Sequence, residues 1–227
     1  MRRWTSIVVT LAAGSVPITV LAGPAQAATV AALWHMESPT AMTDSSGHGN
    51  NGKTTAITSV TGSSGKGYHF NGKTSLVSVP DSASLDPGTA NLTITAHIRF
   101  SVVPSVTTGD YDLIRKGLSG TVGGDWKMEI FPPTSGPRIG TAYCFFQDAK
   151  RLTASIRDTR NLADGKWHTV TCAKTATQIR LVVDGVIHAK SVRLGSISNS
   201  QPVALGAKPG GGDRYLGDMD EVSVRTG

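Results

Sequence analysis

From residue 28 onward, Gly, Ser, Thr, Asn or Pro interrupts the chain at intervals of about eight to twelve residues. The intervals hold short runs rich in β-branched and aromatic side chains, and no apolar stripe recurs at helical spacing. That punctuation excludes a helical bundle and leaves short strands as the only regular element. In the clearest run, Leu92, Ile94, Ala96, Ile98 and Phe100 share one face while Thr93, Thr95, His97 and Arg99 share the other. A strand of this kind buries one face only, so two sheets must stack. Strands are expected at 30–35, 66–70, 76–79, 92–100, 111–115, 126–131, 139–146, 152–156, 167–172, 179–183, 186–192, 203–205 and 216–224. Asn71-Gly72 and Asp184-Gly185 read as hairpin turns between neighbouring strands. The first and last strands are expected to pair.

The first 27 residues have another character. Arg2 and Arg3 precede an apolar stretch broken by Gly14 and Pro17, and Ala25-Gln26-Ala27 follows. This is the order of a secretory signal peptide, residues 1–27, which leaves one domain over 28–227. A secreted, extracellular location is expected. No later apolar run approaches the ~20 residues that span a bilayer. The formal charge of +6 is spread along the chain, without the Lys/Arg blocks of a nucleic-acid footprint. After export, Cys144 and Cys172 are expected to form a disulfide, with two separate buried thiols as the alternative. The disulfide requires the two strands to be direct neighbours or to face each other.

Several segments together carry a family resemblance. They are Leu33-Trp34-His35-Met36-Glu37, the Gly/Asn/Ser-rich stretch 44–52, and Tyr68-His69-Phe70-Asn71-Gly72. Later come Asp164-Gly165-Lys166-Trp167-His168, Leu181-Val182-Val183-Asp184-Gly185 and Leu216-Gly217-Asp218-Met219-Asp220. In this order the chain resembles the laminin-G-like modules of bacterial secreted proteins, within the concanavalin A-like lectin/glucanase superfamily. The resemblance implies an all-β, two-sheet antiparallel jelly-roll sandwich. It also implies a structural calcium, Ca2+, shared between the 44–52 loop and an acidic residue on the last strand. The expected ligands are Asp44, Asn50, Gly52 through its carbonyl, and Asp220. The residues alone read equally well as a metal-free Asx turn.

One fold hosts many activities, so function must come from a site. A retaining glycosidase needs two carboxylates about 5 Å apart. Along single strands no such pair emerges: the face of Asp218 and Asp220 continues with Val222, and Glu129 lies between Lys127 and Phe131. Motifs of serine hydrolases, zinc proteases and phosphate-binding loops are missing as well. The reading is therefore a non-catalytic, lectin-like module that binds a glycan or cell-surface polysaccharide as a monomer. Its expected contacts are Trp126, Tyr111, Arg115, Tyr143, Asp213, Arg214 and Tyr215, an aromatic platform edged by polar groups. Trp126 follows Gly123-Gly124, which lowers steric cover there. Trp34 and Trp167 are assigned to the core, and His168 to tying a loop. The alternatives are a glycan-cleaving enzyme and an adhesion module that binds proteins.

Overall fold

The computed structural model describes residues 28–132 and 140–227. The signal-peptide reading of 1–27, and Ile139 at the start of one expected strand, lie outside the described residues. The strands run in chain order: β1 (Thr29–Trp34), β2 (Lys53–Thr55), β3 (Thr58–Thr61), β4 (Lys66–Asn71), β5 (Leu76–Val79), β6 (Leu92–Arg99), β7 (Tyr111–Lys116) and β8 (Asp125–Phe131). Then follow β9 (Thr141–Gln147), β10 (Thr153–Arg157), β11 (His168–Lys174), β12 (Gln178–Val183), β13 (Val186–Ser191), β14 (Val203–Leu205) and β15 (Leu216–Thr226). A single 3-10 turn, Ala83–Leu85, is the only helical element among the described residues.

All pairings are antiparallel. One sheet has eight strands in the order β13-β12-β11-β6-β15-β4-β3, with β1 also on β15. The other has seven, in the order β10-β9-β8-β7-β14-β5-β2. The expected two-sheet sandwich is what the chain forms. Between the sheets, Leu92, Ile94, Ala96 and Ile98 of β6 meet a core that includes Trp126, Met128 and Ile130 of β8, all fully buried. Each such aliphatic side chain contributes about 1.5–3 kcal/mol by leaving water. The two sheets are also joined covalently. Cys144 on β9 and Cys172 on β11 form a disulfide with Cα atoms 5.6 Å apart, so their strands face each other across the core.

Residues 29–34 and 222–226 do pair, as β1 on β15. Asp184-Gly185 is a hairpin turn between β12 and β13, with both residues at positive φ. Asn71-Gly72 is not a hairpin, because β4 and β5 belong to different sheets. It is a corner. The Asn71 carboxamide oxygen accepts the N–H groups of Lys73, Thr74 and Ser75, and the Gly72 N–H donates to the Tyr215 carbonyl. The short strands β2 and β3 escape a hydrophobicity reading because their residues are mostly exposed and polar. Trp34 is core, its indole N–H donating to the Asn50 carbonyl at 2.7 Å. Trp167 is half-buried instead, under the Arg99 guanidinium at 4.7 Å.

Candidate functional site

Three expected ligand contacts belong to the core. Trp126 alternates with the outward residues of β8 and is fully buried. Gly123 and Gly124 do not open space beside it. A Cβ on Gly123 would lie 1.8 Å from the Ser198 carbonyl oxygen, and one on Gly124 would lie 2.2 Å from that of Gln147. The glycines let the 117–124 loop press onto its neighbours. Tyr111 and Tyr215 are buried in an aromatic cluster, 5.5 Å between ring centroids, with Phe100 packed on both. The Tyr215 hydroxyl is spent on the carbonyls of Arg99 and Asp218. Arg214 borders a separate cavity with Asn71 and Tyr111.

Arg115, Tyr143 and Asp213 come together on the outer face of the seven-stranded sheet. Because Trp126, Met128 and Ile130 point inward, Asp125, Lys127, Glu129 and Phe131 point outward. The register then fixes their neighbours. Asp112 of β7 lies opposite Glu129, which lies opposite Tyr143 of β9. Arg115 lies opposite Lys127, which lies opposite Phe145. A cavity of about 270 Å³ opens on this face, lined by Asp110, Arg115, Ser119, Asp125, Lys127, Phe131, Tyr143 and Phe145. Phe131 and Tyr143 stack at 4.9 Å, Lys127 lies over Phe145 at 5.4 Å, and Arg157 covers Phe131 at 4.6 Å.

The polar floor is buried and mostly paired. The Arg115 Nη1 donates to Asp112 Oδ2 at 2.7 Å and its Nε to the Gly117 carbonyl at 2.9 Å. Lys127 Nζ donates to Glu129 Oε1 at 2.5 Å, and Lys208 pairs with Asp213. Three buried carboxylate oxygens receive no donor from other side chains or the backbone: Asp112 Oδ1, Asp125 Oδ1 and Glu129 Oε2, the first and last being joined by the proton that Glu129 holds. Asp125 is the one of these three residues that lines the cavity. Burial raises its carboxyl, against the pull of Arg115 and Lys127. Burial also raises Asp110, reinforced by Asp213.

Glu129 has the acid neighbours that reading along β8 does not reveal. Asp112 faces it from the next strand, and one oxygen each of Asp110, Glu129 and Asp213 lie within 4.8 Å of one another. Burial, then the Asp112 charge, push the Glu129 carboxyl up to about 8, with Lys127 opposing. Between its ordinary value of 4.5 and about 8, the native chain holds a proton that the unfolded chain has lost. Stability therefore falls as pH rises through that window. Melting in chelator-containing buffer is expected to show the fall, and Glu129→Gln to flatten it. An unchanged slope in the variant would assign the effect to another group.

The loop expected to hold calcium is arranged differently. Asp44 Oδ1 accepts the N–H groups of Leu33 and Ser46, and Oδ2 accepts from Ser46 Oγ and the Asn50 N–H. These bonds outweigh burial and lower its carboxyl. The Gly52 carbonyl accepts from Met42, while the Asn50 carboxamide donates to Ala31 and Ser84. Asp220 belongs to another set, accepting from Ser63 Oγ and from the N–H groups of Ser64 and Glu221. The Asp44, Gly52 and Asp220 oxygens expected to face a cation face donors of the chain, in two separate sets, and around Asp44 this is the metal-free Asx-turn arrangement. His168 ties two loops, meeting Asp184 at 2.8 Å and Asp164 at 3.0 Å.

Among the described residues no helix is long and apolar enough to cross a membrane. No curated protein matches the sequence. Among solved structures, the binding domain of Paraclostridial Mosquitocidal Protein 1 is similar with a TM-score of 0.67 at 18% identity, covering 86% of this chain and 48% of that one. The Botulinum Neurotoxin serotype G binding domain is similar with a TM-score of 0.64 at 14% identity, covering 86% and 47%. This chain thus spans about half the length of either toxin domain. Domain 4 of AbnA, a GH43 extracellular arabinanase from Geobacillus stearothermophilus in complex with arabinotriose, gives 0.64 at 13% identity, covering 88% and 93%. At these identities the likeness is one of fold. The family model described as the concanavalin A-like lectin/glucanases superfamily matches residues 70–226. With that match over a two-sheet sandwich, the chain belongs to this superfamily, in its laminin-G-like form.

Proposed function

We propose that the chain is a secreted, non-catalytic glycan-binding module and that its ligand sits in the cavity on the outer face of the seven-stranded sheet. The observation that carries this reading is Asp125. Its carboxylate is buried, has an unpartnered oxygen, and lines a cavity walled by Phe131, Tyr143 and Phe145. A sugar supplies what these groups lack: hydroxyl donors for the carboxylate and an apolar ring face for the aromatics. Arg115, Lys127 and Ser119 supply donors in return. The solved arabinanase domain in complex with arabinotriose supports a glycan on this fold. The neurotoxin binding domains support the broader statement that the fold is used for binding.

A hydrolytic reading draws on the closeness of Glu129 to Asp110 and Asp213. A group that protonates a leaving oxygen must reach it. Glu129 is fully buried and is not among the residues bordering the cavity, so the binding role is favoured. A polysaccharide panel, read by affinity electrophoresis, tests the proposal. Tyr143→Ala and Asp125→Asn should each weaken the best ligand by about tenfold, since a hydrogen bond to a charged group contributes about 1.5–3 kcal/mol. Retained affinity in both variants would move the site elsewhere. Release of reducing ends from that ligand, abolished by Glu129→Gln, would establish hydrolysis instead.

A further inference from the structure

Resting on the glycan reading above, we propose that the ligand of this cavity carries protonated amines: a glycan of free amino sugars, held by ion pairs to Asp125 and Asp110. Five acids gather on this face: Asp110, Asp112, Asp125, Glu129 and Asp213. Three of them already have a cation of the chain. Arg115 meets Asp112 at 2.7 Å, Lys127 meets Glu129, and Lys208 meets Asp213. Asp110 and Asp125 are left over. Among the described residues neither forms an ion pair or accepts a hydrogen bond. These same two are the acids that line the cavity.

Asp125 makes the vacancy specific. It is 2% exposed, yet its Oδ1 has no partner. Gly117 at positive φ presses against it, since a Cβ there would lie 2.9 Å from the Asp125 Cβ. The end of β7 therefore covers one side of the carboxylate. Arg115 and Lys127 pull on this carboxyl from nearby, but their hydrogen bonds go to Asp112, the Gly117 carbonyl and Glu129. A buried carboxylate without donors is costly. A donor that also carries positive charge compensates it better than a neutral hydroxyl.

The aromatic wall suits the same ligand. Phe145 and Phe131 already take cations over their faces, Lys127 at 5.4 Å and Arg157 at 4.6 Å, and Tyr143 packs on Phe131. The register spreads the two acids apart. Tyr111 lies opposite Ile130 and Lys116 opposite Trp126, so Asp110 stands at the Phe131 end of the cavity and Asp125 at the other. Carboxylates at both ends suit a chain of repeated amino sugars better than a single one. N-acetylation removes the charge and leaves both carboxylates without a counter-ion.

The test titrates the purified full chain at pH about 6, where an amine is charged and an aspartate ionised. The probes are a glucosamine oligomer, its N-acetylated counterpart and a glucose oligomer of the same length. The chain as a whole is positive, formally +6, so unspecific charge attraction works against the expected result. Calorimetry should show the glucosamine oligomer bound at least about tenfold more tightly than either neutral one. Asp125→Asn keeps the shape, removes the charge, and should level the three affinities. Far-UV circular dichroism checks the fold at this buried position. If that variant is misfolded, the partly exposed Asp110→Asn carries the comparison and should reduce the preference by about threefold. Equal affinity for the three oligomers, or preference for a neutral one, would overturn the inference and leave the glycan reading standing. A preference that survives both variants would overturn it too, by placing the attraction elsewhere on the chain. If none of the three binds, the inference falls, and the polysaccharide panel decides the glycan reading separately.

Discussion

Removing the Cys144–Cys172 bridge should lower folding stability by about 3.5 kcal/mol, the chain-entropy value for closing a loop of this length. The cysteines are 28 positions apart in sequence and fully buried, one in each sheet. The bond holds β9 against β11 in the unfolded ensemble, where otherwise little keeps these segments together. Urea unfolding of Cys144→Ala/Cys172→Ala against the oxidised parent measures the difference. Midpoints that coincide would mean that the core alone holds the two sheets together.

Lys116→Ala should cost about 3 kcal/mol, the lower end for breaking a buried ion pair. The Lys116 side chain is fully buried, and its ammonium donates to Asp81 and Asp86 at 2.7 Å each and to the Asn199 carbonyl. The lower end applies because both aspartates keep some solvent access, 38% for Asp81 and 17% for Asp86. Lys116→Met separates packing from charge by keeping the stem. It should remain destabilised, and Asp86→Asn added to it should recover part of the loss. A loss under about 1 kcal/mol in Lys116→Ala would show that the aspartates rehydrate freely, as exposed pairs do.

The sandwich was legible because alternation is local: 92–98 shows its inward row without reference to any other segment. The cysteine pair was legible because a chain with two cysteines offers a single pairing. Asn71-Gly72 misleads for a physical reason. A glycine at positive φ turns the chain equally well within a sheet or between sheets, and the difference lies in where β5 finds a partner. Trp126 misleads in the same way, since both faces of β8 carry an aromatic residue, Trp126 inward and Phe131 outward. The acidic cluster behind the cavity was hidden because Asp112 and Glu129 meet across strands and Asp213 arrives from a distant loop. A strand pairing that placed residue 112 beside 129 would have exposed it, and hydrophobic spacing alone does not give that register.

The position of β15 constrains how the molecule assembles. It lies between β6 and β4 and also carries β1, so the middle of the eight-stranded sheet is the segment synthesised after every other strand described. Until it leaves the ribosome, the edges of β1, β4 and β6 stay open, and pairings of such long sequence separation close slowly. The eight-stranded sheet therefore closes only when its last-made strand arrives and joins the β6–β13 block to the β3–β4 pair.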